Sequence, residues 1–139
     1  MPEKRARRER KSKRPELLEP DVIVDFVFDD GLLFIAISNL SDKPAYKVSV
    51  TFDREIHGFG GKDVCGLPLF RNIEFLAPHK TITTFLDSSG SYFSRKEATR
   101  ISAHITYHDF QGTKKLVTIN HDLEIYREIG LIRRPNMQD

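Results

Sequence analysis

After residue 20, apolar and polar side chains alternate with period two over most of the chain, the pattern of strands that bury one face. It is clearest in "VIVDFVFDDGLLFIAIS", residues 22–38, where Asp30-Gly31 is a strong type I′ hairpin signal. A two-residue loop there sets Asp29 opposite Leu32, Phe28 opposite Leu33, Phe26 opposite Ile35 and Val24 opposite Ile37. One face then carries Val24, Phe26, Phe28, Leu33, Ile35 and Ile37, all apolar, and a one-residue slip would break the match. The other face carries Ile23, Asp25, Val27, Phe34, Ala36 and Ser38, with Val27 directly across from Phe34. A solvent face does not gather such side chains without a cover, so Ile23, Val27 and Phe34 form a candidate apolar interface. Two covers are open. The segment "LEIYREIGLI" offers Ile125, Ile129 and Ile132 at helical spacing and would fold back over the sheet; alternatively a partner or a second copy covers it. The internal cover is favoured because it needs no second chain.

Further along, "NLSDKP" supplies turn chemistry through Asn39, Ser41, Asp42 and Pro44. "AYKVSVTFD" then alternates, with Tyr46, Val48, Val50 and Phe52 expected inward. "LFRNIEFLA" and "TITTFLD" read as strands around a turn at Pro78-His79-Lys80. "SSGSYFSRKEAT" reads as a loop with one helical turn. "RISAHITYHD" alternates again, "FQG" turns, and "TKKLVTINHDLEIY" is the last strand. About seven strands at this spacing, with no long helix, predict an all-β fold: an immunoglobulin-like antiparallel β-sandwich. A single cysteine and no tryptophan exclude the antibody type, which needs both a cysteine pair and a core tryptophan.

Charge divides the chain. Residues 1–15 hold eight Lys/Arg against Glu3 and Glu9, a net +6; the rest hold 14 Lys/Arg against 18 Asp/Glu, a net −4. The tail has almost nothing apolar with which to offset the entropy of ordering, so a disordered basic tail is expected. The expected organisation is a tail and linker over 1–20, the sandwich over 21–127 and a C-terminal extension over 128–139. Lys4, Arg5, Arg7, Arg8, Arg10, Lys11, Lys13 and Arg14 are candidate polyanion-binding residues. No aromatic is interleaved for base stacking, and no apolar face exists for insertion into a bilayer. A solubilising terminus is the plain alternative. No apolar run approaches the ~20 residues of a membrane span, and no apolar segment follows the N-terminal charges as in a signal peptide. The cytoplasm is the expected compartment.

The turn-and-strand motifs carry a resemblance. "ISNLSDKPAYKVSVTF", "IEFLAPHKTITTF" and "ITYHDFQGTKKLVTINHDL" resemble the successive strand signatures of bacterial immunoglobulin-like modules, with the CARDB-like, cell-adhesion-related domains the nearest named group. The resemblance covers roughly residues 22–125 and implies a binding or spacer module rather than an enzyme.

The stretch richest in chemically suggestive residues is "HGFGGKDVCGLPLF", residues 57–70. A dinucleotide fingerprint fails at Asp63, where the third glycine belongs, and a P-loop fails at Asp63 and Ile56. His57 and Cys65 lack an evident third group for nucleophilic catalysis. His104 and His108 share a strand face about 13 Å apart, too far for one metal. With His121 they read as three surface imidazoles. No cofactor, metal or catalytic residue is expected. The 54–66 connection exceeds the usual loop length in a compact domain, which makes it the candidate partner-binding loop, with Phe59 as contact and Lys62 and Asp63 fixing orientation. The expected function is a non-catalytic protein-interaction or adaptor module. The alternatives are a nucleic-acid- or ribosome-associated protein anchored by the tail and, last, a small enzyme using the 54–66 loop. The partner is expected to be another protein, with nucleic acid or an anionic surface reached through the tail; the oligomeric state is left open.

Overall fold

The structure, a computed structural model, describes residues 19–129. The basic tail, with Lys4 through Arg14, and Ile132 lie outside the described residues. Among the described residues seven strands form two antiparallel sheets: β1 (Val22–Asp29), β2 (Leu32–Asn39), β3 (Ala45–Phe52), β4 (Ile73–Leu76), β5 (Thr81–Ser88), β6 (Arg100–His108) and β7 (Lys114–Asp122). The first sheet runs β1-β2-β5 and the second β4-β3-β6-β7. Two one-turn helices, α1 (Pro68–Arg71) and α2 (Ser89–Ser94), punctuate the connections. The all-β sandwich read from the alternation is the fold observed.

The hairpin register agrees residue by residue: Phe26 opposite Ile35, Val24 opposite Ile37, Val27 opposite Phe34. Asp30 and Gly31 both take positive φ, as a type I′ turn requires. Phe26, Leu33, Ile35 and Ile37 pack against Val48, Ile101 and Ile105 of the second sheet, all fully buried. Truncating any of these to alanine would cost roughly 2–5 kcal/mol through lost transfer energy and a residual cavity. The β2–β3 turn is built on Asn39, whose side-chain amide donates to the carbonyls of Lys43 (2.8 Å) and Leu76 (3.2 Å). Its oxygen accepts from the Ser41 amide and hydroxyl, so a buried polar side chain is satisfied while it fixes both the turn and the end of β4.

Three expectations are corrected. Lys47 adopts φ +52° at a bulge in the β3–β6 register, which reverses the alternation there. Ala45 therefore takes the core position and Tyr46 lies outward against Phe75, ring centroids 5.5 Å apart. "LFRN" is not strand: Pro68 opens α1, a position its fixed φ and missing N–H suit. The last strand ends at Asp122, whose side chain caps a 3-10 turn over Leu123–Tyr126 by accepting from the Glu124 amide at 3.0 Å.

Of the segment expected as a cover, Ile132 lies outside the described residues, and Ile125 sits in the 3-10 turn over Leu123–Tyr126. That turn does not lie over the outer face of the first sheet. Tyr126 stacks on Phe28, on the inner side, with centroids 5.7 Å apart, while Ile125 stays 68% exposed. The Tyr126 hydroxyl donates to the Phe26 carbonyl (2.8 Å) and His121 Nε2 bonds the Val24 carbonyl (2.9 Å). In the hairpin register these are the β1 carbonyls that point away from β2. Side chains thus cap the edge of β1 and deny it to another strand.

Candidate functional site

The outer face of the first sheet keeps Ile23, Val27 and Phe34 together, as the register requires. It also brings in two side chains from elsewhere. Phe85 of β5 lies opposite Phe34, their rings edge to face at 5.8 Å. Phe59, in the 3-10 turn Phe59–Gly61, lies 6.2 Å from Phe85. The candidate loop contact and the candidate sheet interface are therefore one surface, a ridge Phe34–Phe85–Phe59 that runs from the sheet onto the loop. Phe85 is 41% exposed and Phe59 71%, so the ridge turns aromatic area toward solvent.

The electrostatics of this face are one-sided. β1, β2 and β5 contain no Lys or Arg. Asp25 and Asp29 share the outer face with Val27 by strand parity, and both are exposed. Carboxylates thus lie on the β1 side of the ridge, and the strands beneath it supply no cation.

The loop that carries Phe59 is held by packing and by a charged network. Gly58 is buried so closely against β5 that an added Cβ would sit 2.5 Å from the Leu86 carbonyl oxygen, so a glycine is needed there for space. Arg95, just past α2, donates through Nη1 to Asp87 Oδ2 (2.5 Å), through Nε to Glu97 Oε2 (3.0 Å) and through Nη2 to the His57 carbonyl (2.9 Å). Asp87 is only 2% exposed and its other oxygen accepts from the Ser88 amide at 2.7 Å. A buried carboxylate needs such partners; here the partner also ties down the glycine loop. His57 extends the network, with Nε2 3.2 Å from Glu55 and Nδ1 3.5 Å from Glu97.

The remaining sequence candidates separate. Asp63 is committed to local structure: its carboxylate accepts from the Cys65 amide at 3.0 Å, and residue 63 forms a β-bridge with His57. Lys62 is exposed, and its carbonyl accepts from the Gly58 amide at 2.8 Å. Burial pushes the Cys65 thiol up to about 11 and its sulfur lies 3.4 Å from the Arg54 carbonyl, so at neutral pH it is a thiol and a poor nucleophile. His104 bonds Thr118 across the outer face of the second sheet (3.0 Å). His121 is not a surface imidazole as expected: it is half-buried at the opposite face, its ring 5.0 Å from Phe26. No cluster of three or more His, Cys, Asp or Glu side chains suited to a metal occurs among the described residues, and no helix there is long and apolar enough to cross a membrane.

Sequence reasoning missed Phe85, Asp87 and Arg95. Phe85 is hidden by a bulge in the β2–β5 register at Leu33/Phe34, which leaves "TFLD" without a readable period. Asp87 and Arg95 look like ordinary surface charges in a loop-flanked sequence, and only the fold shows that one is buried against the other.

Among the described residues, fold and surface together define a seven-stranded antiparallel β-sandwich that displays an aromatic ridge with two exposed carboxylates, Asp25 and Asp29, on the neighbouring strand. The chain belongs to the DUF8453 family, described as a domain of unknown function; the family model matches residues 3–127, basic stretch included. No curated protein matches the chain.

Proposed function

We propose that this protein is a non-catalytic interaction module of the immunoglobulin-like, CARDB-like kind, and that it binds a protein segment carrying apolar and cationic side chains on the Phe34–Phe85–Phe59 ridge. The observation that carries this reading is the ridge itself: aromatic, solvent-facing, continuous from sheet to loop, and bordered by Asp25 and Asp29 with no Lys or Arg on the strands below. Desolvated aromatics supply most of the energy of such contacts, and rim carboxylates select a partner of opposite charge. The strand order supports the fold kinship, since β3, β6 and β7 share one sheet, as the corresponding strands of immunoglobulin domains do.

A random peptide library panned on the full chain tests this. The enriched sequences should combine Lys/Arg with large apolar side chains and should lose binding to Phe59→Ala and Phe85→Ala, two variants that remove exposed rings and leave the core intact. Enrichment of acidic sequences, or binding indifferent to both substitutions, would sink the reading.

A second reading rests on the net +6 of residues 1–15, which favours contact with a polyanion, RNA or DNA, through Lys4–Arg14. Counterion release makes such binding fall steeply from low to moderate salt. A salt-independent interaction, or one unchanged by deletion of residues 1–15, would rule out an electrostatic tether.

A further inference from the structure

We propose that the outer edge of β7 pairs, antiparallel, with β7 of a second copy of this chain about a twofold axis at Thr118. Hydrogen-bond parity decides which backbone groups are free to do so. The Asp109 amide bonds the Thr113 carbonyl (3.0 Å) and the Leu123 amide bonds the Thr99 carbonyl (2.8 Å). With Ala103 opposite Ile119 in the register between them, the odd-numbered residues of β7 face β6. The even-numbered residues Lys114, Leu116, Thr118, Asn120 and Asp122 turn their N–H and C=O groups outward. Among the described residues no strand pairs with that edge.

A twofold axis at Thr118 sets these outward groups against themselves. Lys114 falls opposite Asp122 at both ends, Leu116 opposite Asn120, and Thr118 opposite its own copy. A one-residue slip would set outward groups against residues already bonded to β6. A two-residue slip would keep the hydrogen bonds and lose both Lys–Asp pairs. The strand is thus self-complementary in hydrogen bonding and in charge in the same register, as an isologous contact demands. Leu116, 70% exposed in the single chain, would gain a cross-strand neighbour.

The other edges are guarded. Those β1 carbonyls are capped by His121 and Tyr126, β4 is four residues long, and the Gly58 loop abuts β5 at Leu86. β7 has nine residues, and its centre, Val117-Thr118-Ile119, has neither a charge nor a proline, the usual guards of an edge that stays single. The paired product is one continuous eight-stranded sheet across two copies.

Sedimentation velocity of the full chain over a wide concentration series reads the association. We expect a monomer–dimer equilibrium that Lys114→Asp weakens about tenfold or more, by setting like charges opposite at both ends, and that the swap Lys114→Asp with Asp122→Lys restores. Because Asp122 also caps the following turn, a second measurement avoids it. In a Cys65→Ser background, Thr118→Cys should form an interchain disulfide under mild oxidation, while Thr51→Cys, on the outer face of β3, should not. A chain that stays monomeric throughout, a dimer indifferent to Lys114→Asp, or a folded Thr118→Cys variant that cross-links no better than the Thr51→Cys control would overturn the proposal.

Discussion

Replacing Arg95 by alanine removes one guanidinium from Asp87, Glu97 and the carbonyls of His57 and Gly58 at once. Asp87, 2% exposed, would keep only the Ser88 amide; Glu97 would lose its 3.0 Å contact and the His57 carbonyl its 2.9 Å donor. Breaking a buried ion pair from one side costs about 3–5 kcal/mol. The Arg95 side chain is itself 34% exposed, so water replaces part of what it gave, and the expected loss is about 2–3 kcal/mol. For a domain of this size that lowers the melting temperature by about 10 °C. Urea unfolding followed by far-ultraviolet circular dichroism gives the free energy directly. Arg95→Lys keeps the charge but not the planar fork that reaches Asp87, Glu97 and a carbonyl together, so it should lose about 1–2 kcal/mol. Adding Asp87→Asn to Arg95→Ala should recover about 1 kcal/mol by removing the stranded charge. Hydrogen exchange supplies a second readout: amides of residues 57–64 should exchange faster once the loop is untethered, even in conditions where β2 is unaffected. An Arg95→Ala variant that loses less than about 0.5 kcal/mol, with exchange unchanged in that loop, would refute the role given to this network.

Gly58→Ala should cost about 1–3 kcal/mol, because its Cβ meets a backbone oxygen that cannot move aside; Gly66→Ala, with nothing within 4 Å and no positive φ, should be close to neutral in the same thermal melt. Burial, aided by Glu97, pushes the Tyr92 phenol up to about 12, and its hydroxyl donates to the Ala98 carbonyl at 2.5 Å. The folded state therefore holds this proton more tightly than the unfolded chain, and the stabilisation is complete below pH ~10 and is lost as pH rises through about 12. Alkaline unfolding should show this loss in that window, and Tyr92→Phe should flatten it; a stability profile unchanged by Tyr92→Phe would contradict the assignment. With the Cys65 thiol at about 11, only about one molecule in a thousand carries a thiolate at pH 8, so iodoacetamide should label the native protein far more slowly than the urea-unfolded chain, and equal rates would show the thiol to be unperturbed.

Where local chemistry and core pattern agreed, the fold was legible. Asp30-Gly31 fixes a turn and six apolar positions fix the same register, so the β1–β2 pairing, including the Val27–Phe34 contact, could be read from the chain alone. It failed where backbone conformation broke the period without a marker residue. Lys47 at positive φ is no glycine or asparagine, so nothing in "AYKVSV" announces that Tyr46 turns outward. Nor does the spacing of Ile125 announce the 3-10 turn over Leu123–Tyr126, where the Tyr126 hydroxyl meets the outward Phe26 carbonyl of β1 and its ring meets Phe28. Half of the candidate surface, Val27 and Phe34, was visible as a hydrophobic pair on the wrong face of a hairpin. Its other half depends on a long-range placement, with Phe59 brought to Phe85 by Gly58 packing and by Arg95, and no local pattern encodes that.

Chemical-shift mapping on the uniformly labelled full chain reads out whether the Phe34–Phe85–Phe59 ridge is the binding surface. Titrating a short peptide that carries lysines and large apolar side chains should move the amides of Val27, Phe34, Phe59 and Phe85 in one saturable process, and Phe85→Ala should abolish it. Shifts confined to residues 1–15 or to β7, or a ridge that stays silent while the peptide binds elsewhere, would contradict the assignment of this face as the binding surface.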